Sequence, residues 1–402
     1  MFDPESVWEL RTAGTVAFGA GAAAELPAHL PDGAGSVLLV TDPGVREAGV
    51  VEHLRAALAD RRPALTTTVF DGVDPDPDLS AFEAAVERVR DDDPDAVVGV
   101  GGGSSLDVAK VAATVGAGDG AVLDHAAPPT GAGEPVPGPG LPTVAVPTTA
   151  GTGSETTPVA VVSLPDRGLK VGVSSPHLVP DAALVDPCLA VSLPPGPTAA
   201  AGMDALAHAV EAYTTRAFDA KPRATPGARP DYGGRTPLTD ALARVAVRRI
   251  GGGLRRAVAN GEDLDARRDV ALGSLAAGVA FANAGLGAAH AVAMAAGAAH
   301  DTPHGETVAA VLPAVMRYNA PCVRERYRDV ARWLGREDGA AADAVAALAA
   351  DVGAPEGLAA LGVGPDDVPA LAAKTTTLER LLAGNPRRVD EDDAAAICRD
   401  AL

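Results

Sequence analysis

At 402 residues, with 47% apolar but only 3% aromatic residues, the chain is long enough for two domains whose core must be built from Ala, Val and Leu. A formal net charge of −20 excludes the basic footprint that nucleic acid binding needs; no stretch of about 20 apolar residues lacks charges or breakers, and MFDPESVWEL has no signal-peptide pattern. Three cysteines without paired spacing (Cys188, Cys322, Cys398) predict a cytoplasmic protein rather than a disulfide framework.

In chain order, residues 37–41 (VLLVT) read as a buried strand and 45–60 as a helix. Residues 65–70 are β-rich, 79–90 have helical spacing, 96–100 (AVVGV) form a short buried strand and 105–115 a helix. This β-α-β-α-β order predicts a doubly wound parallel sheet, an α/β domain. Residues 126–142 are a Pro- and Gly-rich loop, 143–147 return as a strand, and 184–187 end the sheet region. Beyond about Pro195 the chain becomes Ala-rich, with helices expected near 198–216, 237–259, 264–282, 286–299 and 305–319. Residues 219–237 (DAKPRATPGARPDYGGRTP) interrupt them and read as a surface loop. The expected division is an α/β domain over 1–194 and an all-helical domain over 195–402, with no internal repeat.

Two loops of the first domain suit a nucleotide. GVGGGSSLDVAK (99–110) joins a strand to a helix, where glycines admit a pyrophosphate to the backbone and the helix N-terminus favours its charge. Asp107 is counted with Gly102, Gly103 and Ser104 as a cofactor-binding candidate, although the spacing is not the usual GxGxxG and a tight turn capped by Asp107 or the serines would read alike. PTTAGTGSETTPVAV (147–161) follows another strand, and Thr148, Thr149 and Thr152 could hydrogen-bond phosphate or carboxamide. Asp42 ends the first long strand, where a carboxylate accepts from ribose hydroxyls and repels a 2′-phosphate, favouring NAD over NADP. A turn aspartate before Pro43 is the plainer alternative.

The helical half holds one carboxylate and three imidazoles that together suit a divalent metal: Asp204, His208, His290 and His304. Asp204 and His208 are four apart, so a helix presents both on one face. His290 and His304 would lie roughly 21 Å apart on a single helix. Pro303 instead predicts that His304 begins or precedes a new element. Any one of these histidines could be an ordinary satisfied side chain; the four together argue for a catalytic metal. His300, in the same stretch, is read as a non-ligand.

GGGSSLDVAK, PTTAGTGSETT, GMDALAHAVEAYT and the His290–His304 stretch followed by VMRYN make the chain resemble the iron-containing (group III) alcohol dehydrogenases over nearly its whole length. The resemblance implies a Rossmann-like nucleotide domain, a helical domain and a metal in the cleft between them. It puts Asp204, His208, His290 and His304 on the metal-ligand positions, with Fe2+ favoured and Zn2+ an alternative. It puts Gly102, Gly103 and Ser104 on the pyrophosphate loop, Thr148 and Thr149 on the second loop, and Lys170 on a lysine that reaches the cofactor. It also implies reversible hydride transfer between a nicotinamide and a primary alcohol or hydroxyacid, in a homodimer or larger homo-oligomer.

Where many members carry a further histidine, four residues after the third ligand, this chain has Met294, which cannot titrate. The hydroxyacid-oxoacid transhydrogenase branch also looks to lack it. That branch carries a similar insertion and a run similar to FANAG (281–285), so the chain looks more like it than like the lactaldehyde or propanediol enzymes. A transhydrogenase would keep its NAD bound. A ribose hydroxyl, His300 or water could then carry the proton, and Arg216, Arg223, Arg229 or Arg235 could meet a substrate carboxylate, although solvated arginines are the plainer reading. A dehydroquinate synthase-like cyclase needs more cations than four lysines suggest (Lys110, Lys170, Lys221, Lys374), and a nucleotide-sensing homologue predicts a damaged metal shell. Acidic, lysine-poor and alanine-rich composition fits either a salt-rich cytoplasm or an ordinary acidic protein from a GC-rich genome.

Overall fold

Short Val- and Leu-rich runs that end in glycine or polar residues become strands, and the longer 3.6-periodic segments become helices. The computed structural model describes residues 7–59, 65–128, 130–167, 169–221 and 232–402. The chain divides into two compact units: Thr12–Ser192, and Leu193–Leu402 together with the N-terminal residues up to Arg11.

The first unit is built on β1 (Thr15–Phe18), β2 (Ser36–Val40), β3 (Thr66–Phe70), β4 (Ala96–Gly101), β5 (Thr143–Pro147), an antiparallel hairpin of β6 (Val159–Leu164) and β7 (Leu169–Ser174), and β8 (Ala182–Val185). Six strands form one parallel sheet in the order β1-β8-β5-β4-β2-β3. Helices α1 (Pro43–Glu47), α2 (Val50–Ala59), α3 (Leu79–Asp92) and α4 (Gly103–Val115) connect the strands. Alternation along β2 sorts the core into two layers. Leu38 and Val40 pack with Phe82 and Val86 of α3 and Val108 of α4, whereas Val37 and Leu39 pack with Val51 and Leu54 of α2. The sheet is therefore covered on both faces, which is why β4 is buried throughout. The strand order reverses between β2 and β4, so the crevice at their carboxyl ends is the switch point at which such sheets take ligands.

The expected order of strands and helices is present, with four differences, one of them the hairpin of β6 and β7, which no expected strand covers. The helix expected over 45–60 is broken by Gly49, whose φ of +80° suits glycine. Strand β1 is four residues long, too short to read from sequence. The loop expected over 147–161 ends sooner, because Val159 already begins β6.

The second unit contains α5 (Pro195–Thr214), α6 (Pro237–Ala259), α7 (Leu264–Ala284), α8 (Ala288–His300), α9 (His304–Trp333), α10 (Ala341–Asp351), α11 (Val368–Thr376), α12 (Glu379–Leu382) and α13 (Glu391–Asp400). Small residues let these helices approach closely. A Cβ on Gly202 of α5 would lie 2.3 Å from Leu254 Cδ1 of α6, and one on Gly273 of α7 would lie 2.6 Å from Ile250 Cγ1. The helix expected over 305–319 continues to Trp333, with a break in helical geometry at Val323, two residues after Pro321. Arg11 joins this unit through paired bonds with Asn283: its N–H donates to Oδ1 at 2.7 Å and its carbonyl accepts from Nδ2 at 2.8 Å. Residues 222–231 of the expected surface loop, with Arg223 and Arg229, lie outside the described residues. Among the described residues no single helix is long and apolar enough to cross a membrane. All three cysteines are free thiols.

Candidate active site

Asp204 and His208 lie one turn apart on α5, His290 in the first turn of α8, and His304 is the first residue of α9. The three helices bring the four side chains together. Asp204 Oδ1 is 3.4 Å from His290 Nε2, 3.7 Å from His304 Nε2 and 3.8 Å from His208 Nε2. Two donors held about 2.1 Å from one tetrahedral ion would stand about 3.4 Å apart, so the spacing suits a shared cation. Asp204, His290 and His304 each bring one donor atom within 4.8 Å of the others.

Among the described residues, Asp204 Oδ1 and His290 Nε2 are buried and have no hydrogen-bond partner. Such orphaned polar atoms are costly unless a ligand satisfies them. A bound cation would satisfy both. Burial alone would raise the Asp204 carboxyl, but the charges of His208, His304 and His290 and a contact with His290 hold it well below the usual carboxylate range. The site is enclosed on one side and open on the other: the Asp204 side chain is 4% exposed and that of His304 is 37% exposed.

Sequence reasoning missed the residues that hold this set in place. Glu211 lies seven residues after Asp204, on the same face of α5. Its Oε2 accepts from His290 Nδ1 at 2.6 Å, which keeps a ring proton on Nδ1 and makes Nε2, facing Asp204, the nitrogen that a bound metal would take. Its Oε1 accepts from the Ala289 N–H at 2.7 Å, so the same carboxylate fastens the start of α8. Burial opposes a charge on His290, yet the Glu211 and Asp204 carboxylates push its pKa up to about 9. A Cβ on Gly287 would stand 2.8 Å from Asn385 Oδ1 and 3.0 Å from Glu211 Oε1, so only glycine fits at that approach. Asn385 accepts from the Ala288 N–H and exchanges amide bonds with Asn319, the last residue of VMRYN. Phe281 stacks on His208 with ring centroids 4.1 Å apart, and His208 stacks in turn on His290 at 4.6 Å. The legible signal for Glu211 was its spacing: an acidic residue in register with two candidate ligands on an otherwise apolar helix.

His300 closes α8 ten residues after His290, roughly 15 Å further along the helix. Its Nε2 lies 3.4 Å from Asp367 Oδ2. That contact and its distance along the helix place it away from the four ligand positions. Met294 lies one turn after His290 and is half-buried. Arg216 donates to the Asn385 carbonyl at 3.2 Å and Arg235 lies 3.8 Å from Asp240, so both arginines are already engaged.

The nucleotide candidates belong to the first unit. Gly102 is the N-cap of α4 and offers no side-chain cap, so the N–H groups of the first turn remain available to an anion. Gly101 has φ +149°, and a Cβ there would meet Ser105 Oγ at 2.5 Å. A Cβ on Gly103 would lie 2.8 Å from the Thr152 methyl, and one on Gly102 3.5 Å from that of Thr149. The two loops are therefore in contact. Ser104 is half-exposed in the first turn of α4, and the Thr148 N–H donates to Gly101 O at 2.9 Å. Asp42 is engaged through both of its carboxylate oxygens. Its Oδ1 caps α1 by accepting from the Val45 N–H, while Oδ2 accepts from Ser105 Oγ at 3.1 Å, beside the glycine turn. Lys170, on β7, pairs with Asp76 at 2.7 Å. Asp107 faces the second loop: Oδ1 accepts from Ser154 Oγ at 2.5 Å and Oδ2 from the Val161 N–H at 2.9 Å.

The family model described as iron-containing alcohol dehydrogenase matches residues 13–187, and that of the C-terminal part of the Fe-containing alcohol dehydrogenase family matches residues 233–402. The chain is 38% identical to long-chain-alcohol dehydrogenase 1 of Geobacillus thermodenitrificans (strain NG80-2), over 92% of this chain and 90% of that protein. It is 34% identical to the mitochondrial hydroxyacid-oxoacid transhydrogenase of Rattus norvegicus, over 95% of this chain and 87% of that protein. Among solved structures it is similar to sulfoacetaldehyde reductase from Bifidobacterium kashiwanohense in complex with NAD+, with a TM-score of 0.86, 29% identity, and coverage of 98% and 99% of the two chains.

Proposed function

The chain belongs to the iron-containing alcohol dehydrogenase family of oxidoreductases, and from that premise we propose how its residues divide the work. Asp204, His208, His290 and His304 hold a divalent metal, Fe2+ in preference to Zn2+, although one oxygen and three nitrogens suit either ion. The loops at Gly102–Gly103–Ser104 and Thr148–Thr149–Thr152 hold NAD, with Asp42 at the ribose and Lys170 reaching the cofactor. The substrate is a small primary alcohol or hydroxyacid, and the enzyme is a homo-oligomer. The observation that carries the metal assignment is the pair of buried, unpartnered donors, Asp204 Oδ1 and His290 Nε2, 3.4 Å apart.

A metal bound there supplies Lewis acidity toward a substrate oxygen, and the nicotinamide supplies hydride chemistry. The chain supplies the rest. Glu211 keeps the His290 proton on Nδ1, so Nε2 stays a donor to the metal. Phe281 fixes the plane of the His208 ring. The exposed side of His304 leaves an approach for substrate. Met294 cannot take a proton, so the substrate proton leaves through a ribose hydroxyl or water.

A second reading rests on Met294: NAD stays bound, a hydroxyacid reduces it and an oxoacid reoxidises it. Protein prepared anaerobically with Fe2+, and separately with Zn2+, is given NAD and a primary alcohol, or 4-hydroxybutyrate with and without 2-oxoglutarate. Net NADH from free NAD makes it a dehydrogenase. Oxoacid-dependent turnover without free NADH makes it a transhydrogenase. Neither, with metal bound, sinks both.

A further inference from the structure

Lys110 is one of only four lysines in the chain, and it is 1% exposed. Its ammonium lies 3.0 Å from Asp107 Oδ1, one turn earlier on α4. It donates to the Val159 carbonyl at 2.6 Å, the Ser154 carbonyl at 3.1 Å and Thr157 Oγ1 at 3.2 Å. Every one of those acceptors outside α4 belongs to the second loop or the start of β6. Asp107 grips the same segment through Ser154 Oγ and the Val161 N–H. The helix that begins with the pyrophosphate-loop glycines therefore holds the hydroxyl loop through two charged side chains.

Burying an ammonium is unfavourable unless its bonds are complete, and an apolar side chain of similar volume would fill the same space at lower cost in desolvation. What an apolar side chain cannot do is fix three oxygens of a neighbouring loop. We propose that Lys110, with Asp107, is a positioning residue for the cofactor: it clamps residues 154–161 so that Thr152 stays seated against Gly103 and the two loops form one preformed cradle for a dinucleotide. This rests on the assignment of those loops to NAD. A preformed cradle spares the ordering cost that a loose loop would add on binding, so the clamp acts on cofactor affinity. Neither residue touches the reacting atoms.

The test compares wild type with Lys110→Met, Lys110→Arg and Asp107→Asn, each checked for native circular dichroism. NAD affinity is measured by calorimetry, and amide hydrogen exchange is followed over residues 148–161. The expected result for Lys110→Met is at least a tenfold weaker NAD affinity and faster exchange across that segment, with unchanged metal content. Asp107→Asn is expected to show the same pattern more weakly, and Lys110→Arg, which keeps the charge, to recover part of the affinity. Folded Lys110→Met protein with NAD affinity within twofold of wild type overturns the proposal. If Lys110→Met does not fold, the same limits applied to Asp107→Asn decide it. If wild type stripped of any copurified NAD binds none, the loop assignment falls, and the exchange of residues 148–161 still judges the clamp: unchanged exchange overturns it.

Discussion

Replacing Glu211 with glutamine would leave the His290 Nδ1 facing an amide in place of a carboxylate 2.6 Å away. The ring would lose the partner that fixes its tautomer and makes Nε2 a better donor. Changes at such supporting partners typically cost roughly 10–100-fold in metal affinity. Competition with a chelator of known affinity should show a loss of that size for Glu211→Gln, and wild-type affinity would mean that Glu211 only fastens α8. Glu155 gives a second prediction at this scale. Burial pushes its carboxyl from 4.5 up to about 7, against the attraction of Lys110. Because the folded-state value lies above the unfolded one, its contribution is whole below about 4.5 and lost as pH rises through 7. The full span is worth about 3 kcal/mol by the usual linkage relation. Glu155→Gln should therefore gain stability over wild type at about pH 8 but not at about pH 4, by urea denaturation. Parallel curves for the two proteins would show that this carboxyl does not control that window.

The elements converge on the site through close helix contacts. Gly305 follows His304 in the first turn of α9, and a Cβ there would lie 2.6 Å from the Ala200 carbonyl oxygen of α5. Helix propensity alone favours alanine over glycine by about 1 kcal/mol. Packing predicts the opposite, because a backbone carbonyl cannot swing aside. Gly305→Ala should destabilise the protein by about 1–3 kcal/mol and lower its metal content, as α9 moves away from α5 and carries His304 with it. A higher melting temperature with full metal content would show that propensity wins. The helices themselves were legible in the sequence: the expected 237–259 and the observed Pro237–Ala259 coincide, since Thr236 caps the start and Pro237 occupies the first turn. The hairpin of β6 and β7 was not legible, because nothing within PTTAGTGSETTPVAV marks where loop gives way to strand. Asp78 and Ser163 form a bridge to that hairpin from a distant part of the chain.

Across the whole molecule, 53 acidic residues face 33 Lys and Arg, and the charge of −20 is self-repulsive. Many of the arginines sit in exposed pairs close in sequence, such as Arg55–Glu52 and Arg328–Glu325, which contribute little each. Raising salt from about 0.1 M to about 1 M shortens the screening distance from about 10 Å to about 3 Å. The melting temperature should rise over that range; a fall would mean that the surface pairs outweigh the net repulsion.

By itself the sequence determined the two architectures, the family, and the four residues that meet around Asp204 Oδ1. Those features are written in local terms: hydrophobic period, capping residues, a four-residue spacing on one helix, and motifs within single loops. Only the tertiary structure decided that Glu211 grips His290, that Asn319 and Asn385 hold the start of α8, that His300 turns away to Asp367, and that Asp107 and Lys110 bind the second loop. Each of these joins partners 44 or more residues apart, and all but the His300 and Asp107–Val161 contacts are buried. Such partners are chosen when folding removes water and every buried donor or acceptor must find a bond, a requirement that no local pattern records.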